Sequence, residues 1–222
     1  MNEKVYIDLS HTIEQGMITY QGIPAPIIRD FLTREDSKKN YEPGTEFHIG
    51  IIEIASNTGT YLDTPFHRYA DGADLSEITL EALAGLDGIL INAREDGAMA
   101  IDETYFAGME LKGKAVIIHT GWDKYWRTDR YFHNHPFLTE NAAKFLAAGK
   151  VKLVGVDTYN IDDTRTRIRP AHSILLLAGI PIIEHLCNLQ QLSSGKFRFF
   201  CIPPKIKGLG SFPVRAFAEV NK

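Results

Sequence analysis

At 222 residues, with 44% apolar and 23% charged side chains, the chain is expected to form one domain over residues 1–222 and to bury a sizeable core, a composition that excludes disorder. A net charge of −4 and a pI near 6.1 offer no basic field to hold phosphates, which excludes nucleic acid and anionic membranes as partners and favours a small molecule. Two cysteines, Cys187 and Cys201, make no disulfide framework for a chain this long, and neither a leader nor a run of about 18 apolar residues is seen, so reduced thiols and a cytoplasmic location are expected.

VYIDLS reads as a strand and GMITYQGIPAP, rich in Gly and Pro, as a loop. REDSKKN is short and mixed in sign, which is the pattern of a solvated loop. EFHIGIIEIAS is a longer strand candidate, followed by the polar run NTGTYLDTPFH, where regular pairing is expected to break down. TLEALAGL reads as a short helix, GILINAR as a buried strand and AVIIHTGW as another. TENAAKFLAAGK is a helix with Thr139 as N-cap and Gly149 just past its end. VKLVGVDTY follows as a buried strand, so that AVIIHT, the helix and VKLVGVDT form a β-α-β unit with a right-handed crossover. HSILLLAG is a short buried helix closed by Gly179, IPIIEHL a strand, and FRFFCIPP and VRAFAEV complete the sheet. The fold class is therefore α/β, a single domain with a mixed, partly parallel sheet flanked by helices.

Asn57, Gly59, Tyr61, Asp63, Pro65 and His67 recur at every second position, which in an extended segment aims them to one side. Fully extended, Asn57 and His67 would stand about 33 Å apart at roughly 3.3 Å per residue, too far for one site. The segment must therefore curl, and Gly59 and Pro65 are the residues able to bend it. A second cluster comprises His172, at the start of the apolar helix, and Glu184, closing the run IPII. A carboxylate among Ile182, Ile183 and Leu186 costs several kcal/mol to desolvate unless a charge or metal compensates it. From spacing alone, a turn with capping polar groups is the favoured reading of the first cluster, and a strand-end Glu facing solvent stays as open as a site for the second.

The run N-T-G-T-Y-L-D-T-P-F-H resembles the signature H-x-G-T-H-x-D-x-P-x-H of the cyclase family of metal-dependent hydrolases, which includes the bacterial kynurenine formamidases of tryptophan catabolism. Gly59, Thr60, Asp63, Pro65 and His67 are kept. The likeness extends through YIDLSHTIEQGM, HTGWDKYW, HPFLTENAAKFL, VKLVGVDTYNID and HSILLLAGIPIIEHLCNL. It implies a swivelling β/β/α fold, one or two divalent metals, zinc or manganese, on Asp63, His172 and Glu184, with Asn57 at a ligand position and His67 as general acid/base. Two signature histidines are replaced, by Asn57 and Tyr61. That leaves one imidazole and several oxygens, a harder and weaker set in which zinc binds less tightly, manganese gains, the site can stand empty and His67 can join the metal. Tyr61, a poor ligand, is a serviceable hydrogen-bond donor to a substrate oxygen.

The resemblance implies hydrolysis of a small amide, lactone or cyclic acyl compound, arylformamidase activity first, with His67 moving the protons. A rival expectation, motivated by Asn57 and Tyr61, is a small-molecule-binding protein that has lost the metal site. Arg165, Arg167 and Arg169 either hold a substrate carboxylate or are solvated. His119, Trp122 and Trp126 either wall the pocket or pack in the core, and His11, His48, His133, His135 and His185 have no evident partner. No G-x-S-x-G elbow supports a serine hydrolase. A homodimer or homotetramer is implied by resemblance.

Overall fold

The computed structural model describes residues 3–94, 97–192 and 196–221. In chain order the strands are β1 (Lys4–Asp8), β2 (Ile27–Leu32), β3 (Ile49–Glu53), β4 (Tyr61–Asp63), β5 (Leu86–Asn92), β6 (Ala100–Ile101), β7 (Ala115–His119), β8 (Phe137–Leu138), β9 (Leu153–Val156), β10 (Ile182–Glu184), β11 (Phe197–Phe200), β12 (Ser211–Pro213) and β13 (Phe217–Asn221). The helices are α1 (Arg34–Ser37), α2 (Glu140–Ala148) and α3 (Pro170–Leu177). Nine strands form one sheet in the order β1-β13-β11-β5-β7-β9-β10-β4-β12. β5, β7, β9 and β10 are mutually parallel at its centre, and the flanking pairs are antiparallel. The mixed, partly parallel sheet expected from the sequence is therefore present, and α2 spans the connection from β7 to β9.

β7 is buried at every position, as a continuous apolar run in a doubly covered parallel strand should be. Its pleat sends Val116 and Ile118 into one core, with Val154, Ile182, Leu146 and Leu175. Ala115 and Ile117 enter the other, with Leu62, Ile183 and Phe199. The first core lies under α2 and α3, so residues of β10 and β4 on the Ile182 side of the pleat face α3. This parity decides where the polar groups go.

Local signals act as their chemistry requires at α2, where the Thr139 side chain accepts from Ala142 N at 3.2 Å and Glu140 lies in the first turn. Gly149, expected just past the helix, is instead its C-cap in right-handed conformation (φ −69°). Lys150 takes the left-handed position (φ 54°). Gly179 closes α3 at φ 72° as expected. TLEALAGL forms one 3-10 turn, Leu80–Ala82, rather than a helix. β2 arises in a stretch to which the sequence pattern assigns no element, and β3, correctly an extended segment, pairs with β2 in a separate exposed ribbon and not in the main sheet.

The largest departure is in NTGTYLDTPFH. Pairing does not break down there: Tyr61–Asp63 is a strand bonded on both edges, to β10 and to β12. The curl is confined to its flanks, at Gly59 (φ 67°) and at Pro65, which opens the 3-10 turn Pro65–His67. That turn is held by Gly210, whose carbonyl accepts from Thr64 N at 2.7 Å and Thr64 Oγ1 at 3.0 Å. A Cβ on Gly210 would stand 2.3 Å from His67 N and 2.5 Å from His67 Cα, both backbone atoms. Gly210→Ala is accordingly expected to destabilise the fold by about 1–3 kcal/mol, read as a lower urea midpoint with an unchanged m-value.

Candidate active site

Strand register assembles the site. Across β4 and β10, Tyr61 stands opposite Glu184 and Asp63 opposite Ile182, while on the other edge Asp63 stands opposite Ser211 of β12. Cross-strand neighbours share a face, so Tyr61, Asp63, Glu184 and Ser211 all rise toward α3. α3 contributes His172 from its first turn. His67 is delivered by the turn after β4.

Asp63 and Glu184 are fully buried. Asp63 Oδ1 accepts from Ser211 Oγ and, at 3.3 Å, from Asn57 Nδ2. Its second oxygen, Oδ2, is buried with no hydrogen-bond partner and lies 3.6 Å from His172 Nε2. Glu184 Oε1 is also 3.6 Å from His172 Nε2 and accepts from Ile161 N at 2.7 Å, while Oε2 accepts from the Tyr61 hydroxyl. Tyr61 thus bonds a carboxylate, and Asn57 offers its amide N–H, not its oxygen, to Asp63. The Asn57 amide oxygen accepts from Ser56 Oγ at 2.9 Å.

His172 Nδ1 is 2.6 Å from Asp162 Oδ2, and Asp162 also accepts from Ala171 N at 2.7 Å and His172 N at 3.1 Å. Asp162 therefore fixes both the start of α3 and the ring: Nδ1 carries the proton, and Nε2 is turned toward the two carboxylates. This is the carboxylate–histidine pairing that orients a ligating imidazole. Ser211 Oγ lies 2.8 Å from His67 Nδ1. With the hydroxyl donating to the Asp63 carboxylate, its oxygen accepts from His67 Nδ1–H, which leaves His67 Nε2 with a free lone pair.

The charges are tuned by the same neighbours. Burial opposes a charge on His172, yet the hydrogen bond to Asp162 and the nearby carboxylates of Asp63 and Glu184 push its pKa up to about 10. Burial likewise opposes ionisation of Asp63, but His172 and His67 hold it below the ordinary carboxylate range. Glu184 is pushed up to about 7, chiefly by burial, and burial drives the Tyr61 phenol well upward, so it stays a neutral donor. The site therefore demands a positive charge at His172 Nε2, as a proton or as a cation in its place.

Donor atoms of Asp63, His67 and His172 all lie within 4.8 Å of one another, and among the described residues this is the group able to converge on a metal ion. Glu184 stands beside it through His172. The donor set fits a divalent cation: one imidazole with a fixed tautomer, a second with a free nitrogen, and a buried carboxylate oxygen lacking any other partner.

These groups floor a cavity of about 780 Å³ whose mouth is lined by Tyr20, Ile23, Arg68, Arg167 and Ile168. The expected aromatic wall is not made by Trp122 or Trp126. Trp126 stacks on His11, with centroids 3.8 Å apart, and Trp122 Nε1 donates to the Tyr131 carbonyl at 3.0 Å. His119 is buried at the end of β7, outside the cavity lining. His185 has a partner, Nε2 to the Tyr159 carbonyl at 3.0 Å, and His135 and His48 have theirs in Thr164 and Asp30. Two members of the site were invisible to sequence reasoning. Asp162 stood only as an acid among arginines, eight positions before α3, and Ser211 carried no local signal at all.

Comparison with known proteins agrees with this fold. A kynurenine formamidase of Bacillus cereus is 24% identical over 218 residues, covering 97% of this chain and 98% of the relative. One from Delftia acidovorans is 26% identical over 175 residues, 78% of this chain and 81% of its own. Isatin hydrolase A from Labrenzia aggregata, solved with benzyl benzoate, superposes with a TM-score of 0.84 at 22% identity, covering 99% of this chain and 94% of that one. A structure described as a potential metal-dependent hydrolase with cyclase activity superposes at 0.79 and 24% identity, covering 98% of each chain. The Cyclase family model matches residues 7–163, most of the chain, and this protein belongs to the Cyclase family.

Proposed function

We propose that the protein is a metal-dependent hydrolase of a small amide, lactone or related cyclic acyl compound, arylformamidase-like in its chemistry. The observation that carries this reading is the buried Asp63 Oδ2, without a hydrogen-bond partner and 3.6 Å from the Nε2 edge of a histidine whose other nitrogen is held by Asp162. An unpaired buried carboxylate oxygen costs several kcal/mol unless a cation meets it.

Asp63 and His172 would hold a divalent ion, zinc or manganese, with Glu184 as a further carboxylate beside His172. When bound, such an ion supplies Lewis acidity and makes water nucleophilic near neutral pH. His67, about one-third exposed at the cavity mouth, takes a proton from the attacking water through Nε2 and returns it to the leaving nitrogen or oxygen. Ser211 fixes the ring for that exchange. Tyr61 keeps Glu184 oriented, and Asn57 does the same for Asp63. The convergence of His67 with Asp63 and His172 within 4.8 Å favours a second role for His67, as a third ligand. Action as a homodimer or homotetramer in the cytoplasm belongs to the same proposal, supported by the exposed Ile27, Ile28, Phe31, Ile49 and Ile52 of the β2–β3 ribbon. Among the described residues no helix is long and apolar enough to cross a membrane.

Metal content after gentle purification, followed by turnover of aryl formamides and lactones with added manganese or zinc, tests the reading. Bound metal and turnover are expected; an apo protein inert on every acyl substrate leaves only a non-catalytic binding protein. His67→Ala separates the two roles of His67. Loss of turnover by about 10²-fold or more with metal retained assigns proton transfer, and loss of the metal assigns ligation.

A pH series supplies an independent check. The proton on His172 Nε2 is lost only near pH 10 in the metal-free protein, and a cation must displace it. Apparent Mn²⁺ affinity, measured by calorimetry, is expected to strengthen about tenfold per pH unit as pH rises from about 8 to 9, above the range in which Glu184 ionises, with one proton released per ion. A flat profile would place the ion elsewhere.

A further inference from the structure

The acids at the cavity floor do not account for its mouth, which three arginines reach: Arg68, Arg167 and Arg169. They are not equivalent. Arg169 Nη1 donates to the carbonyls of Thr166 and Ile168, at 2.8 Å each, and so is spent on folding its own loop. Arg68 Nε donates to Ser173 Oγ at 3.2 Å, and Ser173 Oγ donates to the Arg169 carbonyl at 2.8 Å. This chain of contacts sets the Arg68 guanidinium at the first turn of α3, beside the loop that carries Arg167.

Neither Arg68 nor Arg167 meets a carboxylate among the described residues. The nearby acids are already taken: Glu140, on the cavity wall, pairs with Lys144 at 2.6 Å, and Asp163 pairs with Arg165 at 2.8 Å. Arg165 is thereby turned to its own loop and stays out of the cavity lining. The floor, by contrast, holds the carboxylates of Asp63 and Glu184 under His172. The cavity is thus acidic at depth and cationic at its rim, with Tyr20, Ile23 and Ile168 adding aromatic and apolar surface to its lining.

We propose that Arg68 and Arg167 form an anion subsite that selects acyl substrates carrying a carboxylate remote from the scissile bond. The proposal rests on the hydrolase reading above and adds the substrate class. The substrate's apolar body lies against Tyr20, Ile23 and Ile168, its carboxylate meets the two guanidinium forks, and its acyl carbon reaches Asp63 and His172. Guanidinium geometry matches a carboxylate through paired N–H donors, and a volume near 780 Å³ suits a body of one or two rings. At an exposed rim the charges are screened, so they serve capture and choice of substrate more than tight binding.

The test compares 4-formamidobenzoate, whose carboxylate lies across the ring from the amide, with formanilide, which has the same amide without the carboxylate, on the metal-supplemented full chain. Arg167→Gln and Arg68→Gln are each expected to raise the ratio of KM for 4-formamidobenzoate over KM for formanilide about fivefold to tenfold. Arg165→Gln is expected to leave the ratio in place. Raising salt from about 0.05 to 0.5 M should raise it as well. Calorimetric titration with 4-formamidobenzoate supplies a readout that needs no turnover: both arginine variants should weaken binding by a similar factor. Binding and KM ratios indifferent to either arginine would overturn the anion subsite while leaving the hydrolase reading intact. Failure of both amides to turn over, with binding still dependent on Arg68 and Arg167, would overturn the hydrolase reading and keep the subsite.

Discussion

β4 is three residues long and bonded along both edges, and the register of those two pairings is the constraint on which the site depends. Tyr61 is opposite Glu184 on one edge and Asp63 opposite Ser211 on the other. A slip of one position would turn Tyr61 and Asp63 into the core now filled by Leu62 and Ile183, and would offer Leu62 to the cavity. The pairing is fixed from outside the strand. Thr64 donates twice to the Gly210 carbonyl, and the His67 turn packs directly on the Gly210 backbone.

Placing two carboxylates at zero exposure beside each other is costly, and the rest of the site can be understood as its compensation. Asp63 draws on Ser211, Asn57, His67 and His172, and Glu184 on Ile161 N, Tyr61 and His172. Asp162, buried as well, is satisfied by the first turn of α3 and by His172. What remains unmet is one oxygen of Asp63, and it faces the imidazole nitrogen that Asp162 has freed. Low dielectric surroundings magnify each of these interactions. The same desolvation that opposes the fold creates the affinity for a positive charge. Asn57 and Tyr61 temper that demand, each donating a hydrogen bond to one of the two carboxylates.

Much of the sheet was legible because its central strands are buried on both faces and its crossovers carry local punctuation. AVIIH and LVGV are apolar without interruption, Thr139 caps α2, and Gly179 ends α3. What misled was polarity taken as irregularity. YLD reads as a poor strand because Asp63 is charged, yet it pairs on both sides because the neighbouring strands supply partners for its side chains as well as its backbone. β2 was hidden by its Pro-rich approach, and its exposed ribbon lacks the alternation that a half-buried strand shows. The 3-10 turn at Leu80–Ala82 had helical composition but too few residues to propagate.

The sequence by itself determined the family resemblance, the α/β class, and the candidates Asp63, His67, His172 and Glu184, since those rest on residue types at fixed spacings. It took the tertiary structure to set Tyr61 on Glu184, to turn the Asn57 N–H to Asp63, to complete the site with Asp162 and Ser211, and to leave Arg68 and Arg167 at the rim without a carboxylate partner among the described residues while Arg165 and Arg169 are occupied. The reason is distance along the chain. Ser211 meets Asp63 across 148 positions and Tyr61 meets Glu184 across 123, and contacts of that span are set by strand register and pleat parity, which no local pattern of residues encodes.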